Sequence, residues 1–369
     1  MKRLLIFGLK DPVGGVESAV TAYFRRFDPA AITADFAVFG EAFSLEEEIV
    51  SQGGRVLYLP VRRRDPRGYA AAVEKLFREN RYDAVWCHFS GLTNIDFLKK
   101  AKDRGIPLRV AHAHTASLPW GSALMKYPVI AAHEKNKRVI GQYATHLFAC
   151  SRRSAEFMYG KKLSAQTRIV PNAVDLSGFA VADGTEARAE LGVAPGALVV
   201  GHVGRMCAAK NQKFLIDAFA ALYRRNKNAV LLFVGDGELH DEIASYAAAS
   251  PCSEGIVFTG ARRDLPRLYA AMDVFCLPSL TEGFPVTAVE AQACGLPCVV
   301  STQGVEDSVN LSGAVRFLSL EESPDAWAQA LAEAAAQGKR GCREALTEAG
   351  FEIGSAAARL QRFFTEGVL

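Results

Sequence analysis

The chain alternates short apolar runs with longer amphipathic stretches. Leu4–Leu9 reads as a strand and Val16–Phe27 as a helix. Phe36–Phe39, Val56–Leu59, Ala84–His88 and Leu108–His112 read as further strands, with helices at Ser44–Gln52, Tyr69–Glu79 and Asn94–Lys102 between them. Ser44 followed three residues later by Glu47 has the spacing of a capping box. The strands are continuous apolar runs, the pattern of a parallel sheet covered by helices on both faces. After one more strand, Thr145–Cys150, the pattern restarts. Leu198–Val203, Val230–Val234, Ile256–Thr259, Val274–Leu277 and Cys298–Ser301 read as strands, and Lys213–Arg224, Glu238–Ala249 and Asp264–Ala271 as helices. The turn signal Val170-Pro171-Asn172-Ala173 predicts the seam. The expected fold class is α/β, with two doubly wound domains at 1–170 and 171–350 and a last helix within 351–369.

A length of 369 residues fits two domains at roughly 150 each. Half the residues are hydrophobic and 22% charged, which excludes a disordered or collagen-like chain. A net charge of +3 gives no overall pull toward nucleic acid. The charge is uneven, however: residues 1–170 hold 27 Lys+Arg against 16 Asp+Glu, an excess that suits an anionic partner. The eight cysteines are scattered through mostly apolar runs, where a thiol packs as a small hydrophobe. Cys294 and Cys298 lack a second pair nearby, so no metal site is expected. Leu4–Leu9 is too short for a secretory leader, and no run approaches the ~18 apolar residues of a membrane span. The expectation is a reduced, cytoplasmic protein that at most touches a membrane surface.

Ligands of open α/β sheets bind beyond the carboxyl ends of the strands, so the loops there carry the candidate chemistry. Gly14 and Gly15 follow the first strand and open a helix, whose N-terminus offers N–H groups to an anion. Paired glycines at such a junction also occur as plain turn chemistry. Arg205 and Lys210 lie in the loop opened by Gly204 after Leu198–Val203. A guanidinium fork and an ammonium point charge suit a diphosphate. The junctions at Gly235-Asp236-Gly237 and Gly260-Ala261-Arg262-Arg263 could frame a nucleotide base or act as turns, with Asp264 as a helix cap. The most informative stretch is Pro278–Ala291, with Glu282-Gly283-Phe284-Pro285-Val286 at its centre and Glu290 farther along the same predicted helix. One carboxylate stands at the mouth of that helix, another points from within it, and its N–H groups suit an anion.

In this order the loops resemble the family-four glycosyltransferases of the GT-B fold. Gly14-Gly15-Val16-Glu17, Val170 to Asp175, Gly204-Arg205 with Lys210-Asn211, Gly235-Asp236-Gly237, and Glu282-Gly283-Phe284 through Glu290-Ala291 carry the likeness across nearly the whole chain. Ala111-His112-Ala113-His114 and Ala149-Cys150-Ser151 look most like the branch that makes bacterial capsular and exopolysaccharides. The resemblance implies two Rossmann-like domains facing each other across a cleft, with the last helix returning to the first domain. It implies retaining, metal-independent transfer of a sugar from a nucleotide sugar, UDP-linked by expectation, to a glycan or lipid-linked acceptor. Arg205 and Lys210 would neutralise the leaving diphosphate, Glu282 contact the donor sugar, and Glu290 hold the ribose. Loops at Gly235–Glu238 and Gly260–Arg263 would frame the base. Pro285 stands where many members have glycine, and it removes one backbone N–H.

His112 and His114 fall on one face if their strand runs on. By resemblance one of them sits near sugar and acceptor as a positioning group; His88 is a further candidate. Residues 122–168 carry nine Lys+Arg and two acids, interleaved with apolar residues such as Met125, Tyr127, Phe157 and Met158. Such a basic amphipathic stretch could lie on an anionic bilayer, or be a solvated face backed by a core stripe. Two other readings are a nucleotide-sugar epimerase of the same fold and a non-catalytic binding partner of another transferase. A dehydrogenase is disfavoured, because no Gly-x-Gly-x-x-Gly follows Leu4–Leu9.

Overall fold

A computed structural model describes every residue except 12, 119–122, 181–182 and 368–369; for 123–126 it describes the backbone alone. The chain divides into two compact units. Unit 1 comprises Met1–Ala173 with Gly350–Leu369, and unit 2 comprises Val174–Ala349.

Unit 1 is a seven-stranded sheet of β1 (Lys2–Phe7), β2 (Ile32–Phe39), β3 (Arg55–Leu59), β4 (Ala84–Phe89), β5 (Leu108–Ala113), β6 (His146–Ala149) and β7 (Arg168–Ile169). The order is β3-β2-β1-β4-β5-β6-β7, and all pairings are parallel. Unit 2 holds β8 (Leu198–Val203), β9 (Ala229–Val234), β10 (Ile256–Phe258), β11 (Val274–Leu277), β12 (Cys298–Ser301) and β13 (Val315–Leu318), ordered β10-β9-β8-β11-β12-β13 and again parallel. In each unit the winding reverses beside the first strand, between β1 and β4 and between β8 and β11. Loops diverge at such a reversal and leave a crevice beyond the strand ends.

The core of unit 1 has a layer on each face of the sheet. One layer joins Ile6, Phe36 and Trp86 to Ile353, Leu360, Phe363 and Phe364 of the last helix, Ile353–Glu366. That helix is amphipathic and places this apolar stripe against the sheet of unit 1. Unit 2 is centred on Phe219, Phe233 and Trp327, all fully buried.

Several local expectations are corrected. The helix near Ser44 spans Glu46–Ser51 and has no side-chain cap; the Ser44 amide donates to Asp11 instead. The reciprocal bond sits on the first helix, Gly15–Phe24, where Glu17 accepts from the Gly14 amide at 3.0 Å and from Lys10 at 3.2 Å. Asp264 caps nothing with its side chain, because Arg262 holds its carboxylate. Strand β2 begins four residues earlier than expected, since the buried Asp35 breaks the apolar run without breaking the strand. Arg3, Arg55 and the Tyr82 hydroxyl all donate to that carboxylate, at 2.6–2.9 Å. A buried charge survives when its lone pairs are filled in this way. Strands β7 and β13 went unanticipated; β7 is two residues long and Arg316 interrupts β13.

Candidate active site

Unit 2 carries a compact charged cluster at its switch point. The loop after β8 runs from Gly204 through a single 3-10 turn, Ala208–Lys210, to the helix Gln212–Arg225. Asn211 joins the two with φ 56°, a left-handed conformation that Asn tolerates better than most side chains. This turn presents Lys210. The loop after β11 presents Glu282 seventy-two residues later, and a backbone bond from Leu280 to Ala209 at 2.8 Å ties the two loops together.

Lys210 Nζ lies 2.8 Å from Glu282 Oε1, with side-chain exposures of 15% and 11%. The hydroxyl of Ser279, itself buried, donates to the same carboxylate oxygen. An ammonium has three donors; among the described residues Glu282 takes one, leaving two for an incoming anion. Below the loop, His202 donates Nδ1–H to the Cys276 carbonyl at 2.9 Å, and Gln212 bonds both the Arg205 carbonyl and His202. Burial lowers the pKa of His202 to about 4, with a smaller contribution from Lys210, so it is neutral. It therefore supports the loop without adding a second positive charge.

Glu290 projects from the helix Val286–Ala293, and Pro285 precedes that helix as its cap residue. The Tyr269 hydroxyl lies 2.8 Å from Glu290 Oε2 and 3.1 Å from the Thr287 carbonyl, and its single proton serves the shorter contact, to Glu290. Burial raises the pKa of Glu290, while the Tyr269 bond and Lys210 oppose the rise. The buried hydroxyl of Thr287 has no partner among the described residues. Gly283, Phe284 and Val286 are each partly exposed beside this group.

The structure does not bring every expected residue to this cluster. Arg205 pairs with Glu238 at 2.9 Å and is 65% exposed, whereas the Lys210–Glu282 pair is sequestered. Arg262 pairs with Glu190 and Asp264 at 2.6–3.0 Å, so its side chain is held by acids of its own unit; Arg263 is exposed. Asp236 caps its own loop by accepting from the Gly237 amide. The glycines here let backbones touch. At Gly235, with φ 128°, a Cβ would meet the Gly204 carbonyl at 2.2 Å, and at Gly237 one would meet that of Met206 at 2.4 Å. By contrast neither Gly14 nor Gly15 has positive φ, and a Cβ at Gly15 would meet none of the described residues within 4 Å. Gly235→Ala is thus expected to cost on the order of 3 kcal/mol. Gly15→Ala should leave stability within ~0.5 kcal/mol, so a fall in its activity would report a ligand approaching that backbone. Urea titration with parallel assays checks both.

Unit 1 carries three buried histidines at its own switch point. His88 pairs with His112 across β4 and β5, and His114 lies one residue beyond β5. His112 and His114 do share a face, with ring centroids 4.2 Å apart. Trp86 donates its indole N–H to His112 Nδ1 at 3.3 Å. Because the indole is donor-only, neutral His112 must carry its proton on Nε2. His88 Nδ1 and His114 Nε2 share one hydrogen bond of 2.9 Å. Burial depresses all three pKa values, that of His114 to about 3, so the trio is neutral near pH 7.

The trio is the one cluster of metal-ligand type among the described residues, its ligand atoms lying within 4.8 Å. The hydrogen bonds argue against that use. A ligating Nε2 needs a lone pair, which the indole denies to His112, and one shared proton already joins the other two rings. The arrangement is a proton-sharing network. Trp86, His202, Tyr269 and Gln212 were not among the sequence candidates, and Ser279 stood in the Pro278–Ala291 stretch without a role. A polar residue inside an apolar strand, as at His202, was the available signal. None of the eight cysteines forms a disulfide; six are buried, and Cys207 and Cys342 are half-buried.

Residues 13–177 match the family model described as Glycosyltransferase Family 4, and residues 197–337 that described as Glycosyl transferases group 1. EpsF, a candidate glycosyltransferase of Bacillus subtilis (strain 168), is 33% identical over 92% of this chain and 90% of its own. An Escherichia coli enzyme, UDP-Gal:alpha-D-GlcNAc-diphosphoundecaprenol alpha-1,3-galactosyltransferase, is 30% identical over 62% of this chain and 59% of its own. Among solved structures, Anabaena Alr3699/HepE in complex with UDP aligns over 99% of this chain and 96% of its own, with a TM-score of 0.70 and 22% identity. WaaG, a glycosyltransferase involved in lipopolysaccharide biosynthesis, aligns over 99% and 100%, with a TM-score of 0.70 and 16% identity. Two parallel-sheet α/β units of this kind are those of the GT-B fold. The chain belongs to glycosyltransferase family four.

Proposed function

We propose that the protein is a retaining transferase that moves a sugar from a UDP-sugar to a glycan or lipid-linked acceptor during bacterial cell-surface polysaccharide synthesis, such as capsule or exopolysaccharide. The observation that carries this reading is the sequestered Lys210–Glu282 pair with Ser279, beside Glu290. An incoming diphosphate would draw the Lys210 ammonium and release the Glu282 carboxylate toward the donor sugar. Glu290 would take the ribose hydroxyls, and Gly204, Gly283, Phe284 and Val286 would border the donor. Lys210 supplies fixed positive charge where the leaving phosphate gathers negative charge, so a divalent ion is not required. The donor assignment is supported by the Anabaena Alr3699/HepE structures, which were solved with UDP and with UDP-glucose. The acceptor assignment is supported by the diphosphoundecaprenol-linked sugar in the name of the Escherichia coli relative.

Unit 1 would hold the acceptor, with His114 positioning it. Retaining transfer lets the leaving phosphate take the acceptor proton, so a neutral histidine of low basicity suffices. The test is a panel of nucleotide sugars in EDTA, read first as thermal stabilisation and then as transfer, with the product's anomeric configuration read by NMR. A UDP-sugar should raise the melting temperature and give a retained product. An epimerised donor without acceptor, an inverted product or absolute metal dependence would overturn the reading.

The enzyme would work on the cytoplasmic side, held to the inner membrane face by charge. Lys135, Arg138, Lys161 and Lys162 of the basic stretch are solvent-exposed. The apolar side fits a solvated face backed by a core stripe: Met158 and Tyr159 are buried in the unit 1 core and Phe157 packs against it, whereas Tyr127 is 78% exposed. The side chains of Leu124, Met125 and Lys126 lie outside the described residues. Among the described residues no helix is long and apolar enough to cross a membrane. Flotation with anionic vesicles should show binding that disappears as salt rises, since such attraction is screened within about 8 Å at physiological ionic strength. Binding that survives high salt, or none at low salt, would contradict a purely electrostatic attachment.

A further inference from the structure

The switch point of unit 1 opens into a cavity of about 740 Å³, beyond the ends of β1, β2 and β4 and beside the loop after β3. Its walls are apolar: Phe7, Phe39, Phe89, Leu118 and Val129. Its charged lining is all of one sign, with Lys10, Arg62 and Arg63 and no acid among the described lining residues. Arg62 is only loosely held, 3.5 Å from Asp96 with its side chain 48% exposed. Arg63 and the Lys10 ammonium are exposed and have no carboxylate partner among the described residues. His88 also lines this cavity; it is 3% exposed, and its Nε2 has no hydrogen-bond partner among the described residues. Gly8 stands opposite, with φ 106°, where a Cβ would collide with the His88 carbonyl.

Cations on an apolar cavity select a ligand that is anionic at one end and apolar along its body. Two adjacent guanidiniums with an ammonium match phosphate oxygens, since guanidinium forks bind them bidentately. We propose that this cavity recognises a phosphate-bearing acceptor, and that Arg62 and Arg63, with Lys10, are its specificity determinants. The apolar walls take the part of the acceptor next to the phosphate, and His88 meets an acceptor hydroxyl. A hydroxyl that donates to His88 Nε2 leaves the Nδ1 proton directed at His114, which sets the tautomers of both rings. The inference rests on unit 1 being the acceptor side. It adds that an uncharged glycan alone is a poor acceptor.

The test uses the full chain carrying Lys210→Ala, which removes the competing diphosphate contact in unit 2. Calorimetric titration compares farnesyl diphosphate, glucose 1-phosphate and the uncharged octyl glucoside, with and without Arg62→Ala/Arg63→Ala. Both arginines are exposed, so the fold should survive, and circular dichroism checks it. One or both phosphate probes should bind, weaken at least ~10-fold in the double variant and weaken with salt. Tighter farnesyl diphosphate points to a lipid-linked source, and equal or tighter glucose 1-phosphate to a soluble sugar phosphate. Binding indifferent to the two arginines, octyl glucoside binding as well as the phosphates, or no binding by either phosphate probe would overturn the proposal. UDP stabilisation of the unsubstituted chain, measured alongside, tests the transferase reading separately.

Discussion

Lys210→Ala and Glu282→Gln are each expected to lower the transfer rate by about 10²–10³, the usual scale for removing one group that stabilises transition-state charge. The two should differ in kind. Lys210→Ala removes the cation facing the leaving diphosphate, so both donor affinity and turnover should fall. Glu282→Gln keeps shape and one acceptor oxygen but loses the charge that compensates Lys210. Donor binding should then hold or tighten while turnover collapses. Breaking a sequestered pair also costs stability, so thermal denaturation must accompany the assay. Arg205→Ala should matter less, because the Arg205 guanidinium is 65% exposed to solvent and already paired with Glu238, whereas Lys210 is sequestered. Near-normal turnover in Lys210→Ala or Glu282→Gln, or a larger loss in Arg205→Ala than in Lys210→Ala, would contradict this ranking.

Acid should destabilise both units through their buried histidines. His114 and His202 have folded pKa values of about 3 and about 4, against about 6.5 when unfolded. Between these values the unfolded chain binds more protons than the folded one, so stability is full above pH 6.5 and falls as pH drops toward 4. At pH 5 each such group removes on the order of 2 kcal/mol. His88 and His112 are depressed in the same direction and add to the loss in unit 1. Glu290 has a raised pKa and works the other way, offsetting part of the loss in unit 2. Hydrogen exchange at pH 7 and pH 5 reads the two units separately. Removing His202 with a His202→Gln variant should flatten the pH dependence of unit 2 alone. Protection unchanged between the two pH values would mean that these imidazoles titrate in the fold as they do in water.

Much of this molecule is legible from hydrophobic spacing. Parallel strands buried on both faces write themselves as unbroken apolar runs, and strands such as Val274–Leu277 and Cys298–Ser301 stand where the pattern put them. Loop chemistry is also local, so Gly204 to Lys210 and Glu282 to Glu290 could be recognised in the chain as motifs. What the linear order could not supply is which charges face one another. Lys210 meets Glu282 because β8 and β11 are neighbours at a reversal of winding, a property of strand order. Arg262 reads like a ligand group in the sequence and proves to be occupied by Glu190, far off in the chain. The tautomers of His88, His112 and His114 depend on Trp86 and on cross-strand register. Periodicity is set by each residue's own transfer free energy and is written locally; pairing and protonation depend on neighbours that only the folded sheets bring together.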